Sequence, residues 1–262
     1  MIGGLEGLAV YFRDNMFMIS CPARSGSTML VHLLRSHPDV WCNGEVFGKA
    51  RLTGLLGFYA KRSRENPIFL SDLTQQRDKA PAKFLYKYVL DTQHKRVAGF
   101  KFKTDEMTST EYKTIKDLVV GEKDLKIIYL HRENLLNRYV SYIIAQKTGI
   151  TLLREDEEKP VIETFRLDPE ECVRDFKTIL QRRENVKYMF KEHRSIEVDY
   201  DMLLKGEQSY TDKLCEFLEV RKHPMTTPTI KIIDRDISSI VENYDEIIEY
   251  FKGSEFEQSI GA

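Results

Sequence analysis

The chain has 262 residues, enough for one sizeable core, and carries 40 Lys plus Arg against 41 Asp plus Glu, a net charge of -1. That balance excludes the general basicity by which proteins hold nucleic acid or anionic membranes, so any anion site has to be local. Cys21, Cys42, Cys172 and Cys215 are scattered, with no CxxC pair and no ligand spacing to histidine. This excludes a disulfide framework and a zinc site and points to a reducing, cytoplasmic setting.

The opening "MIGGLEGLAVYFRDNMFMIS" is apolar in patches, but Glu6, Arg13 and Asp14 interrupt it, so it reads as neither a signal peptide nor a membrane anchor. Its last residues, "MFMIS" at 16–20, form the first predicted buried strand, followed by a turn and the helical stretch "STMLVHLLRS". Residues 46–96 are rich in Lys and Arg, contain Pro67 and Pro81, and read as a helical insertion beside the sheet. Then come strands "VAGFKF" at 97–102 and "LKIIYL" at 125–130, and the helix "ENLLNRYVSYIIAQK". "REDEEKP" at 154–160 is a solvated break. Asp168 as N-cap and Pro169 at the first helical position open a long helix, and "SIEVDY" at 195–200 is the last predicted strand. Strands alternating with helices predict an α/β fold with a parallel sheet covered on both faces.

The turn "CPARSGSTML" at 21–30 gathers backbone N–H groups and the positive end of a helix dipole at one point, a geometry that holds phosphate or sulfate oxygens without a metal. Against the GxxxxGK[ST] loop of nucleotide triphosphatases, Cys21 stands at the first Gly, Gly26 at the second and Thr28 at the final hydroxyl, while Ser27 replaces the lysine. A tyrosine phosphatase loop needs arginine six positions after its cysteine and is excluded by serine at 27. Arg24 is the cation inside the turn and can clamp an anion through paired N–H donors. The plainer alternative is a strand-turn-helix connection whose small residues only make room.

"YLHRENLLNRYVSYIIAQ", Tyr129 to Gln146, repeats the strand-then-helix pattern with Arg132 at the junction. Asn134, Arg138 and Ser141 fall on one polar stripe, opposite Leu136, Val140, Ile143 and Ile144. The stripe is either a solvated face or, with Arg132, a grip on a second phosphate. His32 and His131 are bases on chemistry alone, and each reads better as structural. Trp41 lies close in sequence to Glu45, although a lone aromatic more often serves the core.

"PARSGSTML" and "HRENLLNRYVSY" together resemble the PAPS-dependent sulfotransferase superfamily, whose donor is 3′-phosphoadenosine 5′-phosphosulfate. The nine-residue interval from Arg132 to Ser141 resembles the bacterial carbohydrate branch that includes the trehalose and nodulation-type enzymes. The resemblance runs from about residue 16 to "IVENYDEI", with only the two motifs specific. It implies a P-loop-like three-layer sandwich with a central, mostly parallel sheet flanked by helices. It also implies a single domain over 1–262, in which the insertion at 46–96 covers the acceptor site.

By the same resemblance, Arg24, Ser25, Gly26, Ser27 and Thr28 hold the 5′-phosphosulfate, and Arg24 stabilises charge on the leaving oxygen. Arg132 and Ser141 hold the 3′-phosphate. Arg138 shares their stripe, with a surface arginine as the equal alternative. Lys231, in the "PTIKIIDRD" segment with Arg235, closes that site. Glu45, 21 residues beyond Arg24 in "NGEVFG", takes the proton of the acceptor hydroxyl or, alternatively, starts a helix. PAPS is then a cosubstrate, no metal is needed, and the acceptor is a small molecule or glycan, a hydroxyl of a carbohydrate or glycolipid. No nucleic acid or membrane span is involved. A small-molecule kinase with a degenerate loop and a non-catalytic nucleotide-binding protein remain as alternatives.

Overall fold

The computed structural model describes residues 16–48, 52, 54–91, 94–233 and 235–261. The reading of the first 15 residues, and parts of the 46–96 insertion, lie outside them. Five strands form the main sheet: Met16–Cys21 (β1), Val40–Glu45 (β2), Val97–Lys103 (β3), Lys126–His131 (β4) and Ser195–Asp199 (β6). They run parallel in the order β2-β3-β1-β4-β6. Leu153–Arg154 (β5) and Thr229–Ile230 (β7) form a separate antiparallel pair.

β1 lies at the centre, paired to β3 on one side and β4 on the other, and all six of its residues are buried. An unbroken apolar run is what a parallel strand covered on both faces requires. Phe17, Ile19 and Cys21 face Ser27–Ser36 (α1) and Gln208–Leu218 (α10) in one core cluster. Met16 and Met18 face the other, with Phe47, Phe100 and Phe102. That second cluster is covered by Pro67–Lys79 (α3), Pro81–Phe84 (α4), Lys113–Gly121 (α6) and the end of Pro169–Met189 (α8). A third cluster joins Leu135–Thr148 (α7) to α8, Tyr244–Phe251 (α11) and Glu257–Ile260 (α12). Helices on both faces of a parallel sheet give the expected three-layer α/β fold.

β2 is a strand that the apolar pattern does not predict. Its centre carries Asn43, which is polar yet fully buried: Nδ2 donates to the Val89 carbonyl at 2.7 Å and Oδ1 accepts from the Leu56 N–H at 3.0 Å. A satisfied buried amide costs little, but it breaks the hydrophobic run by which a strand is read. The described part of residues 46–96 carries Gly57–Glu65 (α2), α3 and α4, then a π-turn over Leu85–Val89. Buried Arg77 ties it to the sheet side, Nη1 donating to the Gly48 carbonyl at 2.5 Å.

Gly99 in β3 has no room for a side chain, since an added Cβ would lie 2.5 Å from the Phe17 ring. Gly99→Ala should therefore cost about 1–3 kcal/mol by overpacking the centre of the sheet. The fall in urea midpoint, with the slope unchanged, measures it.

Candidate active site

β1 ends at Cys21, and the chain turns through residues 22–26 into α1. Two residues in this turn take left-handed backbone conformations, Arg24 at φ 66° and Gly26 at φ 78°. Left-handed residues among ordinary ones turn successive N–H groups to one side and make an anion-binding concavity. The first turn of α1 holds no acidic residue, so its dipole is left for an incoming anion. Ser25 is fully buried and donates to the Pro22 carbonyl at 2.9 Å, so its hydroxyl closes the turn from behind.

Gly26 is required by a neighbour as well as by its φ. A Cβ there would come 2.0 Å from the Tyr200 ring, which leans on the loop from the start of Tyr200–Leu204 (α9). The same ring carries the Arg132 guanidinium 5.1 Å from its centroid. Tyr200 thus links the two motifs. The signal that could have found it is its place at the carboxyl end of a parallel strand, where α/β folds build their sites.

Two adjoining cavities open in front of the loop. The first, about 110 Å³, is lined by Arg24, Gly26, Ser27, Thr28, Arg132 and Lys231, among others. The second, about 210 Å³, is lined by Arg132, Asn137, Tyr200, Lys231 and Arg235 with Asp236. Arg132, Tyr200 and Lys231 belong to both. Arg24 donates from Nε to Ser141 Oγ at 3.2 Å and from Nη1 to the Thr151 carbonyl at 2.7 Å, and among the described residues no carboxylate pairs with it. Among the described residues, Arg132 Nε is buried without a hydrogen bond, with Asp201 at 3.7 Å as its counter-charge. Such guanidiniums are under-neutralised and suited to an anion.

On the other side of the loop, Glu45 ends β2 and pairs in register with Lys101 of β3 across an irregularity in the ladder. Lys101 Nζ lies 2.6 Å from Glu45 Oε1 and 3.2 Å from Ser27 Oγ. Lys103 Nζ lies 3.3 Å from Glu45 Oε2. Burial pushes the Glu45 carboxyl up, but Lys101 and then Lys103 outweigh it by charge and hydrogen bond and hold it below its ordinary value. Glu45 is therefore an ionised carboxylate at the sheet end, and not the start of a helix.

A sequence model described as the Sulfotransferase family matches residues 16–224, most of the chain. The chain belongs to the sulfotransferase family. Among solved structures, a sulfotransferase from Alicyclobacillus acidocaldarius aligns over 91% of this chain and 92% of its own, with 13% identity and a TM-score of 0.51. The sulfotransferase domain from the curacin biosynthetic pathway aligns over 88% and 86%, with 15% identity and a TM-score of 0.49. No curated protein matches in sequence. The first alignment shows the shared fold, and family membership makes sulfuryl transfer the chain's general chemistry.

In this sulfotransferase the structure brings Arg24, Gly26, Ser27, Thr28, Arg132 and Lys231 to one pair of cavities, with Ser141 bonded to Arg24 beside them. Arg138 is elsewhere. It is 2% exposed, pairs through Nη2 with Asp175 of α8, and reaches the Ala23 carbonyl from Nη1 at 3.5 Å. It lines neither cavity, and it is a buried brace behind the loop, not a surface arginine. The polar stripe divides further, because Asn134 caps α7 by accepting from the Asn137 N–H. His131 pairs with Glu133 at 2.8 Å, and burial, then Arg183, lowers it toward the neutral imidazole. Trp41 lies on β2 against Gly57. Among the described residues no helix is long and apolar enough to cross a membrane.

Proposed function

We propose that this sulfotransferase moves a sulfuryl group from 3′-phosphoadenosine 5′-phosphosulfate to a hydroxyl of a small-molecule acceptor, a carbohydrate or glycolipid. One observation carries the donor: two cationic cavities joined through Arg132, Tyr200 and Lys231, one of them built on the loop. A donor with anionic groups at both its 5′ and 3′ positions fits that arrangement, and ATP has only one such end. Arg24, Ser27, Thr28 and the loop N–H groups hold the phosphosulfate, Arg132 with Ser141 holds the 3′-phosphate, and Lys231 covers it. No metal enters.

In the reaction, the acceptor oxygen bonds to sulfur, the sulfur–oxygen bond to the phosphate breaks, and Glu45 takes the hydroxyl proton. Arg24 neutralises the charge gained by the leaving phosphate oxygen. The carbohydrate acceptor is supported by the Arg132-to-Ser141 spacing. A cavity of about 200 Å³ between the insertion and α6, lined by Phe47, Arg77, Pro81 and Tyr112, supports the insertion as the acceptor's cover. The four cysteines, all free and buried, support a cytoplasmic setting.

Calorimetric titration with 3′-phosphoadenosine 5′-phosphate and, separately, with magnesium-ATP tests the donor. The bisphosphate is expected to bind without metal, and Arg132→Ala to weaken it about 10- to 100-fold, the loss of a charge-assisted contact of about 1.5–3 kcal/mol. Tighter binding of magnesium-ATP would reverse the reading in favour of a kinase.

A further inference from the structure

Serine stands at position 27, where a triphosphatase loop has its lysine, yet a cation does reach that place. Lys101 arrives from the adjacent strand with its ammonium between the Ser27 hydroxyl, 3.2 Å away, and the Glu45 carboxylate, 2.6 Å away, and its side chain is 8% exposed. It therefore joins two groups with opposite needs. The loop needs positive charge when an anion arrives. A carboxylate that is to remove a proton needs less of it, because a carboxylate tied to an ammonium is a weak base.

We propose that Lys101 is a positioning residue that couples the two: a sulfuryl group arriving at the start of α1 draws the ammonium off Glu45, which becomes a competent base only with the donor in place. This rests on the donor and the role of Glu45 proposed above. Lys101 is suited to the task because an ammonium carries three donors on a flexible four-carbon stem and can change partner without leaving the site. Among the described residues, the other groups facing Glu45 are Lys103 of β3, Glu106 of Thr104–Thr108 (α5) and Cys21 of β1. Lys103 is shared with Glu106 at 3.5 Å and keeps the carboxylate in position. Burial pushes the Cys21 thiol up, so it stays neutral. Among the described residues, Lys101 is the cation that touches both the loop and the base, and the order of binding that follows is donor first. Without the donor, Glu45 activates neither acceptor nor water.

Carbon-13 NMR of glutamate-labelled protein, with the Glu45 resonance assigned by its loss in Glu45→Gln, follows the titration of this carboxylate directly. In the wild type, loading with 3′-phosphoadenosine 5′-phosphosulfate is expected to raise its midpoint by at least about one pH unit, a tenfold change in proton affinity. The bisphosphate lacking the sulfuryl group is expected to do much less. In Lys101→Met the midpoint starts high, and donor changes proton affinity less than about threefold; Lys101→Arg, which keeps the charge, starts low and shows that the site is intact. The proposal is overturned if the wild-type midpoint stays put while calorimetry shows the donor bound. It is equally overturned if the donor step in Lys101→Met matches the wild type, since that step would be direct repulsion by the anion. Absence of donor binding in the calorimeter would instead remove the donor assignment itself, and the coupling with it.

Discussion

Arg24→Ala is expected to lower the rate of sulfuryl transfer about 10²- to 10³-fold, the usual cost of removing one preorganised donor from a developing oxyanion. Arg24 sits in the loop with Ser141 Oγ and the Thr151 carbonyl as its partners, so its position is set by neutral groups and its charge is left over. With the proposed donor, charge on the leaving phosphate oxygen grows only as the sulfur–oxygen bond breaks, and a guanidinium in contact with that oxygen would act most strongly then. Affinity for 3′-phosphoadenosine 5′-phosphate should consequently fall by a much smaller factor than the rate. Single-turnover loss of sulfur-labelled donor, beside calorimetry with the bisphosphate, separates the two quantities. Equal losses would mean that Arg24 only binds.

The second large effect is on stability. Arg138→Met keeps the volume of the side chain but leaves Asp175 without its buried partner, and about 3 kcal/mol should be lost at pH 7. In a chain of this size that is a fall in Tm on the order of 8 °C. The pH dependence gives the cause away. Burial already pushes the Asp175 carboxyl above its ordinary value despite Arg138, and removing the arginine pushes it further. A carboxyl whose folded pKa is raised destabilises the protein while ionised and ceases to do so once protonated. The deficit of Arg138→Met should therefore shrink as pH falls from 7 toward 5. Denaturant titrations at the two pH values measure this, and a deficit that stayed constant would count against an unpaired charge as its cause.

Arg138 also shows what a sequence conceals. Its spacing with Asn134 and Ser141 describes a polar stripe correctly as a helix face, but which way that face points depends on Asp175, on another helix 37 residues away. The apolar strands β1, β3 and β4 are legible because burial on both faces demands continuous hydrophobic runs; β6, expected to be buried as well, is an edge strand in which only Val198 is fully buried, and α8 is legible because Asp168 and Pro169 announce it. β2 is hidden by the buried amide of Asn43, and with it the setting of Glu45 at a strand end. The loop is readable from Gly26, since few residues besides glycine suit that backbone. That Tyr200 leans on it, or that Lys101 bonds to the Ser27 hydroxyl, depends on strand order, which local patterns do not carry.

The central position of β1 has a consequence for how the chain is made. Met16 finds its partner in Ala98 and Phe17 finds its other partner in Lys126, so neither edge of the first strand can pair until much later chain has left the ribosome. At about 5–20 residues per second, that wait lasts on the order of ten seconds, during which "MFMISC" is an apolar strand with two open edges. Non-local parallel pairing is slow in any case. Yield in a heterologous host should accordingly depend on growth temperature and chaperone supply more than on the equilibrium stability of the finished enzyme.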